Sequence, residues 1–203
     1  MKKLIYIFLA VSIIFSACEE EDVAPNTNNN GNNSALAIGD FQQGGVVFYL
    51  DGNGGGLVCD IQDLDLVPWG CEGVLISGAD GTNIGTGNQN TIDISDECTN
   101  SNGQPFTGIA AVKCLNSTEQ GYSDWFLPSK DELSEIYANR DAINITSLSN
   151  GGNSFGTSGL SSVYWSSSEN NLNSAFQQFF SGTGLSMGVL KSSPASVRSI
   201  RAF

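Results

Sequence analysis

Short apolar runs separated by clusters of glycine, asparagine and serine make up most of the chain. Residues 45–50 and 56–61 are two such runs, and they flank the turn-forming segment 51–55. β-branched and aromatic runs on either side of turn residues predict a β-hairpin. Asp51 and Asn53 also match half of a calcium-binding loop, but no glutamate follows at the spacing such a loop needs. We therefore favour turn chemistry for this segment.

Two helices are expected in the middle of the chain. Residues 106–116 carry apolar side chains at helix-compatible spacing. The second helix begins at Ser129, because Ser129 and Glu132 form the sequence pattern of a capping box. The apolar residues that follow Glu132 recur on one face of this helix, which predicts that the face is buried.

The remaining pattern predicts strands and loops. After residue 151 the short strands return, at residues 163–167, 175–180, 185–190 and 197–203. Strands, then two helices, then strands predict an α+β domain with antiparallel pairing. Residues 70–104 are rich in glycine, asparagine, aspartate and threonine. We expect them to form long loops, which are common sites of binding residues.

The N-terminal segment has the character of an export signal. Two lysines precede an apolar run over residues 4–15, which is too short to span roughly 30 Å of hydrocarbon. The run ends in Phe15-Ser16-Ala17-Cys18, which resembles the lipobox of bacterial lipoproteins, although leucine is usual at the position of Phe15. The resemblance implies that residues 1–17 are a signal peptide and that Cys18 is acylated. An ordinary signal peptide followed by a chance cysteine is the alternative.

Residues 18–36 are expected to form a flexible tether, because they are acidic and then asparagine-rich, with almost no apolar residue to bury. The acidic run at residues 19–22 resembles the surface-export signal of some Gram-negative lipoproteins. A solvated charge run that merely repels the anionic membrane surface is the alternative. We favour a protein anchored in the outer membrane through its N-terminal lipid and facing the cell exterior.

Charge and composition exclude several functions. A formal net charge of −13 argues against nucleic-acid binding, because phosphate contacts need clustered lysine and arginine. The chain has no histidine, which removes the commonest general base and every Ser–His or Cys–His nucleophile pair. Two-carboxylate glycoside hydrolysis is the remaining mechanism, and no sequence pattern selects its acid and partner. We expect a non-catalytic protein without a cofactor, and nothing in the sequence supports a calcium requirement.

Four cysteines remain once Cys18 is assigned to lipid: Cys59, Cys71, Cys98 and Cys114. An even number in an exported chain predicts two disulfides, for which three pairings exist. We prefer the pairing of sequence neighbours, Cys59 with Cys71 and Cys98 with Cys114. A metal site is not expected, because the chain has no CxxC spacing and the compartment is oxidising.

Six segments in order along the chain carry a family resemblance. They are Gly44–Tyr49, Trp69–Cys71, Gly78–Thr82, Tyr122–Leu133, Tyr164–Glu169 and Val197–Phe203. Through them, residues 37–203 resemble the Lcl C-terminal domain family of bacterial surface domains. The resemblance implies a C-type lectin-like α+β fold with long loops on one side, more distantly similar to formylglycine-generating enzymes. The best-known member of the family binds sulfated glycosaminoglycans through basic residues. The acidic background of this chain makes a sulfated polyanion an unexpected ligand.

Candidate ligand-binding residues lie within and just after the predicted strand 163–167. Serine, glutamate and asparagine beside an aromatic residue can bind and stack on a saccharide, which makes candidates of Trp165, Ser167, Glu169 and Asn170. A strand tryptophan most often packs inward, so we favour a core position for Trp165, and likewise for Trp125. One of Arg198 and Arg201 is expected to pair with a buried acid such as Asp124 or Glu132.

Two functions fit these observations. The first is a lipid-anchored, surface-exposed module for binding or adhesion, with a glycan or a surface protein as its ligand. The second is a structural envelope lipoprotein that assembles with itself, for example as a homo-trimer, or with a partner, without binding carbohydrate. The sequence alone does not choose between them.

Overall fold

The computed structural model describes residues 35–203, which form an α+β domain with two sheets and four α-helices. The predicted signal peptide (1–17), the predicted lipidation at Cys18 and all but the last two residues of the predicted tether (18–36) lie outside the described residues. None of the helices in residues 35–203 is both long and apolar enough to cross a membrane. Both sheets, the four helices and two hydrophobic cores lie within this segment, so we expect it to fold independently.

The strands and helices are numbered in chain order. The strands are β1 (Phe41–Gln42), β2 (Gly45–Leu50), β3 (Gly56–Cys59), β4 (Leu66–Pro68), β5 (Val163–Asn171), β6 (Ser174–Phe179), β7 (Ser186–Leu190), β8 (Pro194–Ser196) and β9 (Ile200–Ala202). The helices are α1 (Gly87–Glu97), α2 (Ala110–Leu115), α3 (Lys130–Ala138) and α4 (Arg140–Ser149), with short 3-10 helices at Glu119–Gly121 and Gly159–Ser162.

The first sheet has the order β1-β2-β3-β9, and all its neighbours are antiparallel. The predicted hairpin of β2 and β3 is confirmed, with Val46 opposite Cys59. Its turn is held by Asp51, whose carboxylate accepts the backbone N–H of Asn53 at 2.7 Å and that of Gly55 at 3.0 Å. Asp51 therefore serves the turn chemistry that the sequence predicts.

The second sheet has the order β4-β8-β5-β6-β7. Its pairs are antiparallel except β5 with β8, which run parallel at Tyr164 and Ser196. The strands predicted at 163–167, 175–180 and 185–190 correspond to β5, β6 and β7. The strand predicted at 197–203 is shorter, because only Ile200–Ala202 pairs with β3.

The prediction of two helices is wrong, because the domain has four. The capping box of α3 is present, with the Ser129 N–H donating to Glu132 Oε2 at 2.6 Å and the Glu132 N–H donating to Ser129 Oγ at 3.3 Å. α2 is shorter than the predicted segment 106–116. The two unpredicted helices are α1, within the segment expected to be loop, and α4, which follows α3 after the single residue Asn139.

α1 lacks the apolar stripe by which helices are usually predicted. Its buried face consists of Gly87, Asn90, Thr91 and Ile94. The polar members of this face are satisfied by hydrogen bonds, since Thr91 Oγ1 donates to the Gly87 carbonyl at 2.6 Å and accepts the Leu127 N–H at 3.0 Å. A helix that buries hydrogen-bonded polar side chains gives no hydrophobic periodicity in its sequence.

Two hydrophobic cores lie on either side of β5. One packs α1 and α2 against the second sheet around Trp69, Ile94 and Trp165. The other packs α3 and α4 against the first sheet around Phe48, and it includes Tyr164 of β5. Successive residues of β5 therefore enter different cores, as alternate faces of a strand require.

The predicted cysteine pairing is wrong. Cys71 is bonded to Cys98, while Cys59 and Cys114 are buried free thiols. Cys59 lies in β3 with Val46 opposite it, and Cys98 is the C-cap residue directly after α1. The unpredicted helix α1 therefore delivers Cys98 to Cys71, which lies near it in space although 27 residues away in sequence.

Candidate functional site

The two tryptophans considered as sugar platforms are both in the core. Trp165 has no exposed surface, and its Nε1 donates to the Val67 carbonyl at 3.0 Å. Trp125 is equally buried and donates to the Glu119 carbonyl at 3.1 Å. Neither indole can stack on a saccharide, so the prediction that Trp165 binds a ligand is wrong. The favoured core position of both tryptophans is confirmed.

Ser167 and Glu169 are also structural. Ser167 is buried, and its Oγ accepts Asn90 Nδ2 at 3.1 Å. Glu169 forms a buried salt bridge with Lys191 and accepts the Ile76 N–H at 3.0 Å. These residues join β5 to neighbouring segments, and Ser167 Oγ and Glu169 Oε1 already have hydrogen-bond partners within the domain.

Asn170 is the exposed member of the predicted set, and its Nδ2 donates to Ser174 Oγ at 2.9 Å across the β5–β6 hairpin. It stands alone among the four predicted residues in reaching solvent. The structure therefore does not gather the predicted ligand-binding residues into one accessible site.

The glycine-rich loop at residues 78–87 is held in place by buried polar groups. Glu132 accepts the Gly85 N–H at 2.7 Å, and burial raises the pKa of this carboxyl group. The Gly81 carbonyl accepts two further hydrogen bonds, from Asn90 Nδ2 at 2.7 Å and from Ser168 Oγ at 2.6 Å. The loop is thus part of the scaffold instead of an adaptable binding loop.

The candidate site is a polar cleft of about 480 Å³ between the β3–β4 loop and the end of α2. We call it the Asp63 cleft. Its lining residues are Asp63, Leu64, Asp65, Thr107, Lys113, Asn116, Ser117, Thr118 and Glu119. Three carboxylates, one ammonium group, one amide and three hydroxyls face it, and Leu64 is the apolar member of the lining.

The outer wall of the cleft carries an exposed ion pair. Lys113 Nζ lies 2.5 Å from Asp65 Oδ2, and about a third of the lysine side chain and over half of the aspartate side chain remain exposed. Asn116 and Thr118 continue the same wall beyond α2, with exposed side chains. These groups can donate and accept hydrogen bonds to a ligand without leaving a buried partner unsatisfied.

The inner wall is fixed by Asp63. Its Oδ1 accepts Arg198 Nε at 2.7 Å, and its Oδ2 accepts the Tyr164 hydroxyl at 2.9 Å and Asn153 Nδ2 at 3.2 Å. Arg198 has no exposed side-chain surface, and its guanidinium lies 4.4 Å from the centre of the Phe155 ring. A carboxylate held by three donors keeps one orientation, so this wall is preorganised.

Two groups behind this wall, Tyr164 and Arg198, have raised pKa values, and the physical cause of each is clear. Burial raises the pKa of Tyr164, and the charge of Asp63 raises it further. Burial is the largest single influence on Arg198 and disfavours its charge, but the charge and hydrogen bond of Asp63 together with Cys59 and Tyr164 outweigh it, so the arginine pKa is raised. Both groups therefore keep their protons, and both donate to Asp63.

A second aspartate lies deeper. Asp60 has no exposed surface, and its carboxylate accepts the Gln62 N–H at 3.1 Å and the Ser199 hydroxyl at 3.0 Å. Burial raises the pKa of Asp60 to about 6, although these two hydrogen bonds oppose the shift. Asp60 is a buried titratable group near the cleft but does not line it.

The predicted arginine–acid pair exists, with one correction. Arg201 forms a bidentate salt bridge with Asp124, in which Nε donates to Oδ1 at 2.7 Å and Nη2 donates to Oδ2 at 2.8 Å. Its guanidinium lies 4.0 Å from the centre of the Tyr122 ring. The Asp124 side chain is 57% exposed, so the acid is not buried as predicted. Hydrogen bonding from Arg201 lowers the pKa of Asp124.

Sequence reasoning did not select the residues of the Asp63 cleft. The signal that could have pointed to them is the group of three aspartates in residues 60–65, at the end of the predicted strand 56–61. Lys113 lies within α2 and Asn116 directly follows this helix, and neither carries a signal of its own. Within residues 35–203, no three side chains of the metal-binding types lie close enough together to hold a metal ion.

Comparisons with known proteins give little further identification. No protein-family model matches the chain, and no curated protein matches its sequence. One similar solved structure is a fimbrial protein from Bacteroides ovatus ATCC 8483, with 16% sequence identity and a TM-score of 0.40. The similarity covers 71% of this chain and 35% of that protein, so this chain matches about a third of the length of that protein. At this TM-score the similarity carries no argument about fold or function.

Proposed function

We propose that the chain is a lipid-anchored, surface-exposed binding module of the C-type lectin-like type, and that its ligand is an uncharged glycan bound in the Asp63 cleft. The lipobox-like segment before Cys18 supports the anchor, and the family resemblance of residues 37–203 supports the lectin-like assignment. The observation that carries the binding site is the orientation of the Asp63 carboxylate by the buried Arg198 at 2.7 Å.

The chemistry of the cleft matches the chemistry of sugars. A carboxylate accepts hydrogen bonds from ligand hydroxyls, and side-chain amides and hydroxyls both donate and accept them. The cleft offers these groups on two walls, with Asp63 on the inner wall and Asp65 and Asn116 on the outer wall. A cleft with so little apolar lining is a poor match for an apolar ligand, which needs hydrophobic burial.

The charge of the cleft also selects among glycans. Three carboxylates face one ammonium group, and that ammonium is already paired with Asp65. A sulfated or carboxylated polymer would be repelled by this excess of negative charge. The ligand is therefore proposed to be a neutral glycan.

A binding role is better supported than a catalytic role. A two-carboxylate hydrolase needs an acid that contacts the glycosidic oxygen and has a pKa raised towards neutrality. Asp60 has such a pKa, about 6, but it has no exposed surface and cannot reach a ligand. We therefore propose that the cleft binds its ligand without converting it.

A glycan array with residues 35–203 tests the binding proposal, followed by titration calorimetry with any glycan that binds. We expect Asp65→Asn and Asn116→Ala each to weaken binding by about tenfold or more, because each removes a polar contact in the cleft. The matched control is Asp96→Asn, the same change of charge on the exposed face of α1 away from the cleft. An array without binding, or equal losses for Asp65→Asn and Asp96→Asn, would overturn the proposal.

The anchor is tested separately in cells that express the whole chain. We expect a clickable fatty acid to label the wild-type protein and to leave the Cys18→Ser variant unlabelled. Surface protease treatment of intact cells should remove the labelled protein, since the proposed location faces the exterior. Label that persists in Cys18→Ser would show that Cys18 is not the acylated residue.

A further inference from the structure

The segment from residue 170 to residue 197 is nearly free of charge. In a chain with a formal net charge of −13, this stretch of 28 residues contains one charged residue, Lys191. Lys191 has no exposed surface and is neutralised by Glu169, which is also buried. The surface made by β6, β7 and β8 therefore presents no free charge of its own.

β7 is the edge of the second sheet. It is bonded to β6 on one side, and no other strand of residues 35–203 pairs with it. The Phe179 N–H donates to the Leu185 carbonyl at 2.9 Å, and the Lys191 N–H donates to the Asn173 carbonyl at 3.0 Å. Because backbone groups of an antiparallel strand point alternately to either side, those of Ser186, Gly188 and Leu190 point away from β6. The Leu190 carbonyl accepts the Ser193 N–H at 2.9 Å, so the free groups of this edge are those of Ser186 and Gly188 and the Leu190 N–H.

This edge has none of the features that usually protect an edge strand. Residues 185–190 contain no proline and no charged residue. Leu185, Met187 and Leu190 are exposed by 58%, 42% and 52%, and Leu172 of the adjacent hairpin by 47%. Natural edges of this length are usually blocked by a lysine, a proline or a covering segment, so an open apolar edge indicates a contact surface.

We propose that the occupant of this edge is a second copy of the chain, paired β7 to β7 in antiparallel orientation about a two-fold axis at Gly188. Each Gly188 then exchanges both of its backbone hydrogen bonds with the Gly188 of the other copy. Ser186 of one copy lies opposite Leu190 of the other. The two five-stranded sheets become one continuous ten-stranded sheet.

Charge selects the second copy over other partners. Two strongly acidic molecules repel one another over most of their surfaces, so they can approach closely only where acidic residues are absent. A basic partner would instead be drawn to the acidic surfaces and gain nothing from a neutral edge. Residues 185–190 carry no charged side chain, expose apolar side chains and have free backbone groups at Ser186 and Gly188, and an identical edge matches them in all three properties.

The size of the contact predicts a weak dimer. One strand pair and four exposed apolar side chains bury less than the roughly 800 Å² per partner that is usual in stable complexes. Two copies anchored in one membrane would have a much higher effective concentration, which would favour pairing. That last step rests on the proposed lipid anchor, while the pairing itself does not.

Sedimentation equilibrium of residues 35–203 over a wide concentration range tests the pairing. We expect a reversible monomer–dimer equilibrium, and we expect Met187→Lys to weaken it by about tenfold or more by placing a charge on each side of the contact. Ile145→Lys is the matched control, because Ile145 is 69% exposed on α4, away from this edge. Monomer at every concentration, a trimer, or equal weakening by both variants would overturn the proposal.

Cross-linking tests the register. In the proposed pair, Ser186 and Leu190 of different copies are directly opposite, at about 5.5 Å between Cα atoms, which suits a disulfide. Within one strand the same two residues are about 13 Å apart, so they cannot bond within one chain. Ser186→Cys combined with Leu190→Cys should give a reducible dimer on mild oxidation. Ser186→Cys alone should not, and equal cross-linking by both variants would overturn the register.

The two proposals can fail independently. A dimer that binds no glycan would leave the pairing intact and remove the proposed function. A monomer that binds a glycan through the Asp63 cleft would support the proposed function and overturn the pairing.

Discussion

Arg198 and Asp63 form a salt bridge in which the arginine side chain has no exposed surface while the aspartate side chain is 21% exposed and lines the cleft. The guanidinium also donates from Nη1 to the Asp60 carbonyl at 2.9 Å. A buried cation that is held by core groups and directed at a cleft carboxylate couples the stability of the core to the geometry of the candidate site.

Asp63→Ala should therefore destabilise the domain strongly. Removing the carboxylate leaves the Arg198 charge buried without its partner, which typically costs about 3–5 kcal/mol. The control is Asp65→Ala, which breaks the exposed pair with Lys113 and should cost less than about 1 kcal/mol. Urea unfolding measures both values. Similar small losses for the two variants would show that Arg198 is stabilised by groups other than Asp63.

The stability of the domain should depend on pH through Asp60. The folded-state pKa is raised to about 6 from an ordinary value of 3.8, so the folded protein holds this proton more tightly than the unfolded chain. The stabilising contribution is complete below the ordinary pKa and is lost as the pH rises through about 6. The loss corresponds to about 3 kcal/mol, at 1.36 kcal/mol for each pH unit.

Asp60→Asn provides the comparison, because its amide is neutral at every pH. We expect the free energy of unfolding of the wild type to fall relative to that of Asp60→Asn between about pH 4 and pH 6. Urea denaturation at several pH values measures this difference. Parallel curves for the two proteins would mean that the folded state does not raise the pKa of Asp60.

The disulfide between Cys71 and Cys98 should contribute substantially to stability. It closes a loop between residues 27 apart in sequence, which predicts a loss of about 3–4 kcal/mol in the Cys71→Ala/Cys98→Ala double variant. Thermal unfolding of the double variant, compared with the wild type with and without reductant, measures the loss. If reductant leaves the stability of the wild type unchanged, the bond does not form.

Thiol titration should distinguish the observed cysteine pairing from two disulfides. Cys59 and Cys114 are buried, and burial raises the pKa of Cys59 to about 12 and that of Cys114 well above its ordinary value. Both thiols should be unreactive towards Ellman's reagent in folded residues 35–203, and both should react after unfolding without reductant. A denatured protein with no reactive thiol would show that Cys59 and Cys114 are also bonded.

Gly87 should tolerate no side chain. A Cβ atom at this position would overlap Glu132 Oε2 and would lie 2.8 Å from the Ser129 nitrogen. Gly87→Ala must therefore displace the carboxylate that holds the glycine-rich loop, at a cost of about 1–3 kcal/mol. Gly108→Ala is the control, since a Cβ there meets no atom within 4 Å and should change stability by less than about 1 kcal/mol. Equal melting temperatures would contradict the close packing at Gly87.

Sequence patterns predicted the elements whose structure depends on interactions between residues close together in the chain. The β2–β3 hairpin follows from its turn residues, and the start of α3 follows from the reciprocal hydrogen bonds of Ser129 and Glu132. α1 could not be predicted in the same way, because its buried face is stabilised by hydrogen bonds to Leu127 and Ser167. Those partners are distant in sequence, and no local pattern encodes them.

The sequence by itself determined the α+β class, the hairpin, the capped helix and the inward position of the two tryptophans, because hydrophobic periodicity and capping depend on residues within one turn or strand. Only the tertiary structure decided which cysteines bond and which carboxylates face the Asp63 cleft. Cys98 reaches Cys71 through α1, and Asp63 is oriented by Arg198, which is 135 residues away along the chain. Such pairs depend on how separate elements pack, and packing is set by the summed contacts of the whole domain.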